Sequence, residues 1–214
     1  MCQDVQGETF DYPEEFFKER IHNIRRPRPD DFQIKQAVEK IKNSKKPIII
    51  SGGGVFYSDA MDELGNFAIK HNIPVTQTVM GYSTMKKDHS HFVGPIGGLG
   101  GKAANNLAKE TDLAICIGTK LADFTTGSWA NFENPEFKLV SINIARHDAN
   151  KHLAEAVIGD AKVTLTELSN AIGDWKSSDS WHKKSQVELK SWNEYVDKES
   201  GPTNQELPSY AHAV

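Results

Sequence analysis

The stretch Pro47-Ile48-Ile49-Ile50-Ser51-Gly52-Gly53-Gly54 decides the fold. It is a continuous apolar run of β-branched residues closed by three glycines. Such a run, bounded by breakers and not alternating, is the pattern of a strand buried on both faces of a sheet. Three glycines let the backbone turn sharply and keep side chains out of a ligand's way. Helical periodicity follows, so the unit reads strand, glycine turn, helix, which is where open α/β sheets usually bind ligands.

Outward from this unit the pattern repeats. Asp30 or Asp31 caps a helix whose Ile34, Ala37, Val38 and Ile41 fall at i, i+3, i+4 and i+7. Behind the glycines, Ala60, Leu64, Phe67, Ala68 and His71 share one helical face. Residues 73–78 read as a second strand, 113–117 as a third, 138–144 as a fourth and 156–159 as a short fifth. Between and after them come helices carrying Ala103, Ala104, Leu107 and Ala108, then Ala161, Leu165, Leu168 and Ile172 behind an Asp160 cap. Strands alternating with helices predict an α/β fold: a doubly wound, mainly parallel Rossmann-like sheet with helices on both faces. Parallel neighbours require crossover helices.

The ends follow other rules. Glu14 to Ile24 predicts one helix, with Phe16, Phe17, Arg20, Ile21 and Ile24 along a stripe. Arg26-Pro27-Arg28-Pro29 then enforces extended backbone, since each residue before a proline is pushed out of the helical region. Residues 1–29 are therefore expected to lead into the sheet domain, 30–175, from a preceding one. Beyond Trp175, a polar helix carries Trp181, Leu189, Trp192 and Val196, and two tryptophans on so polar a segment suggest docking on another surface. Gly201-Pro202 ends that helix, and Leu207-Pro208-Ser209-Tyr210 begins something new.

Composition narrows the function classes. Hydrophobic residues at 38% and charged residues at 25% suit one globular core. A net charge of −4 with scattered Lys and Arg argues against a nucleic-acid partner, and Arg25-Arg26-Pro27-Arg28 reads as a solvated linker. No run approaches the ~18 apolar residues of a membrane span. Asp4, Glu8 and Asp11 interrupt any signal-peptide core, so a cytoplasmic location is expected. Cys2 and Cys116 form no disulfide framework; Cys116, inside Leu113-Ala114-Ile115-Cys116-Ile117, reads as a small core residue.

The motifs stop short of chemistry. Gly52-Gly53-Gly54 is not a full G-x-G-x-x-G, because Tyr57 stands where the last glycine belongs, nor is it a P-loop. Asp59, Asp62 and Glu63 are expected in the first turn of the next helix, where they suit its dipole but would repel a phosphate. The stretch is thus either a nucleotide crevice or a tight structural turn. Gly94 to Gly101 offers its amides to an anion or forms a loop without a ligand. Lys120 and Asp123, after the third strand, meet a ligand or simply pair with each other. His89 with His91, and His147 with His152, lack a third ligand and read as solvated loop residues. No catalytic and no metal-ligating residue is assigned.

The course from Asp30 to Trp175 resembles the central domain of thiamine-diphosphate-dependent enzymes of the acetolactate synthase type. The matching stretches are Pro47 to Gly54, Ile73-Pro74-Val75, His91 to Gly101, Ala108 to Gly118 and Gly159-Asp160-Ala161. Asp4-Val5-Gln6 resembles the end of the family's pyrimidine-binding domain, and Leu207-Pro208-Ser209-Tyr210 the entry to its diphosphate-binding domain. Residues 4–8 and 11–13, with 122–126, 142–144 and 160–165, are similar to one branch of that family. Its members hydrolyse a carbon–carbon bond of a cyclic 1,2-diketone in inositol degradation, using thiamine diphosphate and magnesium.

The resemblance implies a division of labour. Residues 1–29 would be the tail of the first domain and a linker, and 176–214 a linker helix and the start of the third domain. The family's cofactor-activating glutamate and Gly-Asp-Gly…Asn magnesium motif belong to those other domains. Thiamine diphosphate and Mg2+ are then not bound by this segment, whose partners are the catalytic domains of the same polypeptide in a homo-oligomer. In flavin-binding relatives the central domain holds FAD, and in others an ADP moiety. Gly52, Gly53, Gly54, Thr76, Gln77, Gly118, Lys120 and Asp123 would line that crevice. This chain departs at Asn143-Ile144-Ala145, where the relatives carry Asp-Ile-Asp. The change removes two carboxylates that would accept from ribose hydroxyls or an adenine amine. A structural domain with a vestigial crevice is the first expectation, retained FAD or ADP binding the second, and a standalone dehydrogenase the last.

Overall fold

A computed structural model describes residues 2–201. One six-stranded parallel sheet organises it, in the order β3-β2-β1-β4-β5-β6. The strands are β1 (Pro47–Ser51), β2 (Val75–Gln77), β3 (Phe92–Pro95), β4 (Leu113–Ile117), β5 (Lys138–Asn143) and β6 (Glu155–Ile158). The apolar run is β1, buried throughout and flanked by β2 and β4, with Ile49 opposite both Val75 and Ile115. The order reverses between β1 and β4, so the glycine turn leaves the sheet at its topological switch point.

The helices are α1 (Gln3–Gly7), α2 (Asp31–Asn43), α3 (Gly53–Tyr57), α4 (Met61–His71), α5 (Lys102–Glu110), α6 (Asp123–Thr126), α7 (Arg146–Ala149), α8 (Ala161–Ile172) and α9 (Asp179–Glu199). Successive strand residues point to opposite faces, and β1 shows the result. Ile49 joins a core with α2, α4 and α8, while Ile48 and Ile50 join another with α5 and Trp181 of α9. Each isoleucine fully removed from water contributes about 1.5–3 kcal/mol. Helix starts follow the expected chemistry: Asp30 accepts from the Gln33 amide at 2.8 Å, and Asp160 from the Lys162 amide at 3.1 Å. Cys116 is fully buried, and its burial raises the thiol pKa.

Several expectations need correction. The sheet has a sixth strand, β3, hidden in the sequence because it is short and ends in Gly94-Pro95. A proline is tolerated there because β3 is an edge strand. Glu14 to Ile24 is not a helix: a single 3-10 turn covers Glu14–Phe17, and Phe16, Phe17, Ile21 and Ile24 are all exposed. An apolar stripe that is exposed and packs on no other element among the described residues does not sustain a short helix. The helix expected after the glycines is two helices, α3 and α4, parted at Asp59, whose φ is 53°. The Leu207-Pro208-Ser209-Tyr210 segment lies outside the described residues.

The two tryptophans dock on this same sheet. Trp181 is 3% exposed and its Nε1 donates to the Pro47 carbonyl at 2.8 Å, at the start of β1. The Arg25–Arg28 linker is also anchored. Arg26 Nη1 lies 3.1 Å from each carboxylate oxygen of Asp160 and donates to the Ser58 carbonyl and, at 2.9 Å, to its hydroxyl. Ser58 in turn donates to Asp160 at 2.8 Å, so linker, α3 and α8 meet at one buried carboxylate.

His91 is not solvated either. It is buried, its ring stacks on His182 at 4.1 Å, and Nε2 lies 3.2 Å from Asn72 Oδ1. Burial, then the neighbouring His182 and His89, hold its pKa down to about 4, and burial also lowers those of His71, His89 and His182. An unfolded histidine titrates near ~6.5. Between these values the unfolded chain binds protons that the folded chain refuses, so stability is full above about pH 6.5 and falls as pH drops toward 4. Urea midpoints should decline across that window, and His91→Gln should make the decline shallower. An equal slope in the variant would show that His91 is not responsible.

Candidate functional site

Above the carboxyl ends of β1 and β4 lies a crevice of about 360 Å³, with Gly53, Gly54, Thr78, Gly118, Lys120 and Asn143 on its walls. It occupies the switch point that the strand order creates. Tyr57, Met80 and Phe124 form an exposed apolar rim around it.

The glycines answer first to the backbone. The Gly54 amide donates to the Gly118 carbonyl at 2.9 Å, and the Gly52 amide to the Ile117 carbonyl at 2.8 Å. A Cβ on Gly54 would stand 2.6 Å from Gly118 Cα, and one on Gly118 would stand 2.5 Å from Gly54 Cα. Gly118 also has φ +62°, a conformation that glycine adopts without strain. The Val55 amide is bonded to the Gly52 carbonyl at 3.1 Å. The amides of Gly54 and Val55, which a phosphate cradle would use, are therefore already engaged by protein.

The acidic residues thought to repel a phosphate are displaced from the glycine turn. Asp62 and Glu63 open α4, one helix further on, and Asp59 lies in the break before it. Lys162 of α8 neutralises two of them, at 3.1 Å from Asp59 and 3.5 Å from Glu63. None of the three is on the crevice wall.

The remaining expected site residues divide. Gly53, Gly54, Gly118 and Lys120 line the crevice, and Gly52 lies at the end of β1 behind them. Thr76 is buried in β2, where its hydroxyl donates to the Ile49 carbonyl at 3.0 Å. Gln77 faces a different cavity. Asp123 opens α6, exposed and off the wall, and among the described residues no ion pair joins it to Lys120. Asn143 does reach the crevice, but its carboxamide is spent on the loops: Oδ1 accepts from the Ala145 amide at 2.9 Å and Nδ2 donates to the Thr119 carbonyl at 3.2 Å.

Several wall residues were not expected from the sequence, among them Thr78, Met80, Phe124 and Asp148. Asp148 of α7 lines the crevice, paired with Lys151 at 2.6 Å, and that hydrogen bond holds its carboxyl below the usual range. Its only signal was its place in the loop after a strand's carboxyl end. The second glycine cluster is also internally bonded. Gly97 donates to Asn105 Oδ1 at 2.9 Å and accepts from its Nδ2 at 3.0 Å, while the Gly98 amide donates to the Phe124 carbonyl at 2.7 Å. Among the described residues the crevice offers Lys120, the paired carboxylate of Asp148 and the hydroxyls of Tyr57, Thr78, Thr119 and Thr125, enough to hold a polar molecule. It brings together no nucleophile with a base.

Comparison with known proteins places this geometry. The family model described as "Thiamine pyrophosphate enzyme, central domain" matches residues 34–168. A 3D-(3,5/4)-trihydroxycyclohexane-1,2-dione hydrolase of Clostridium perfringens strain 13 is 48% identical over 166 residues, 78% of this chain and 26% of that protein. The hydrolase of the same name from Clostridium tetani strain Massachusetts is 47% identical over 170 residues, 79% of this chain and 26% of its own. One from Bacillus cereus strain ZK is 46% identical over 178 residues, 82% and 28% respectively. The chain spans about a quarter of the length of these relatives.

The glycine contact is directly testable. Gly118→Ala should cost about 3 kcal/mol, combining a left-handed φ with an enforced clash against Gly54. Gly98→Ala, whose Cβ would meet nothing nearer than 3.8 Å, should stay within about 0.5 kcal/mol. Equal urea midpoints for the two variants would contradict the assignment.

Proposed function

We propose that this chain, which belongs to the thiamine pyrophosphate enzyme central-domain family, is the central domain of a longer thiamine-diphosphate-dependent hydrolase. The parent cleaves a carbon–carbon bond of a cyclic 1,2-diketone in inositol degradation. The observation that carries this reading is the 46–48% identity to hydrolases of that printed name over most of the chain. The role of the domain itself is structural. In support, the Gly52 and Gly54 amides are bonded to carbonyls at the end of the neighbouring strand, and Asn143 is committed to its own loop.

Thiamine diphosphate and Mg2+ belong, in this reading, to the parent's other domains. Among the described residues no group of three or more His, Cys, Asp or Glu converges, so none is assigned to the ion. The parent is a cytoplasmic homo-oligomer in this reading, and its partners are its own catalytic domains. No described helix is long and apolar enough to cross a membrane.

A second reading keeps the crevice as a weak FAD or ADP site. Lys120 on its wall, beside Asp148, is the observation that favours it. Calorimetric titration of the chain separates the readings. Thiamine diphosphate with Mg2+ should give no saturable heat and no diketone hydrolysis, and ADP or FAD no shift in melting temperature. A saturable shift with ADP would establish the second reading, and hydrolysis by the 214-residue chain alone would refute the first.

A further inference from the structure

The segments that follow β1, β2, β3, β4 and β5 at the carboxyl end of the sheet each raise a large apolar side chain into solvent. These are Tyr57, Met80, Leu99, Phe124 and Ile144, all 60–81% exposed. They share one surface. Tyr57, Met80 and Phe124 rim the crevice, and Ile144 follows Asn143 of its wall. Leu99 is next to Gly98, whose amide donates to the Phe124 carbonyl at 2.7 Å. The amino end of the sheet differs. Residues 44–46, 111–112 and 134–136, which enter β1, β4 and β5, expose Lys45, Lys46 and Glu136 and no large apolar side chain. Single exposed apolar residues are ordinary, but a group of them on one face marks a place of interaction.

The paths of the two flanking segments identify what covers this face. The Arg26 linker is fastened to Ser58, next to Tyr57, and to Asp160, just past the end of β6. At the other flank, α9 begins against the amino end of β1, where Trp181 meets Pro47. It then passes Gly101, beyond the end of β3, where an added Cβ would stand 2.9 Å from Trp192 Nε1. Its last residue, Glu199, lies about 10 Å further along the helix. Both segments thus reach the carboxyl end, beside the exposed apolar side chains, and the relatives of this chain are about four times as long. We propose that the flanking domains of the parent polypeptide dock on this carboxyl face, with the five side chains at the centre of the contact. The proposal rests on the reading above that the chain is part of a longer protein. A covalently continuous domain must lie within reach of these two exits, whereas a second copy of the chain has no such tie to this face. Aromatic side chains and Met at the centre, with charge kept away, are the composition of a contact core.

Cysteine labelling tests this. Leu99→Cys and Phe124→Cys place a thiol on the face, and Ile69→Cys places one on α4, away from it; all three positions are exposed, so the fold is kept. Each is made in the 214-residue chain and in the natural full-length polypeptide, and its rate of reaction with a soluble maleimide is read by peptide mass spectrometry. The two face cysteines should react about tenfold or more slowly in the full-length protein than in the 214-residue chain, while the control reacts equally in both. Undiminished labelling of the face in the natural polypeptide, whatever its length, overturns the proposal. Labelling that is slow in the 214-residue chain and recovers on dilution assigns the face to a second copy and overturns it too. Diketone hydrolysis by the full-length protein is assayed separately, so the functional reading can fail while the labelling result stands.

Discussion

The backbone of Gly54 lies directly against that of Gly118, and the rest of the molecule is arranged around that contact. Two strands separated by an entire crossover can approach so closely only where neither carries a Cβ. The approach lets the amides of Gly52 and Gly54 reach carbonyls at the end of β4, which extends the β1–β4 pairing past the last sheet residue. It also fixes the floor of the crevice. The same contact that shapes a place for a ligand engages the Gly54 amide that a phosphate would use. Backbone pairing and ligand binding compete here for the Gly54 N–H, and pairing has it.

Other anchors hold the framework about this point. Asp160 is buried, caps α8, and receives Arg26 from the linker and Ser58 from the end of α3. A buried carboxylate must be compensated, and here one cation and several hydrogen bonds share the task. On the opposite face, Trp181 bonds the first residue of β1, while Glu110 joins Lys46 and Lys184. Both segments that flank the sheet are thus fastened to the ends of the elements that carry the glycine turn.

How much of this was legible in the sequence depended on whether the cause was local. β1, β4 and the Asp30 and Asp160 caps were readable because burial and capping act on adjacent residues. The edge strand β3 was not, because its pairing with β2 lies in tertiary contact and its sequence ends in breakers. The stripe Phe16, Phe17, Ile21 and Ile24 misled, since periodicity predicts a helix only where a surface exists to receive it. Asp59, Asp62 and Glu63 were misplaced by one helix because the break at Asp59 is a matter of a single φ. In the crevice the glycines were found, yet their reason was not: the partner of Gly54 is Gly118, 64 positions away. Asp148 reaches the crevice through the course of the segment after β5, which no spacing reports.

Amide hydrogen exchange at Gly54 tests the central claim most directly. If its N–H is bonded to the Gly118 carbonyl, the ligand-free protein should protect it to the level of the β1 amides, and adding ADP should leave its rate unchanged. Rapid exchange of the Gly54 amide in the free protein, slowed on adding ADP, would show a cradle held open for a phosphate and contradict the account.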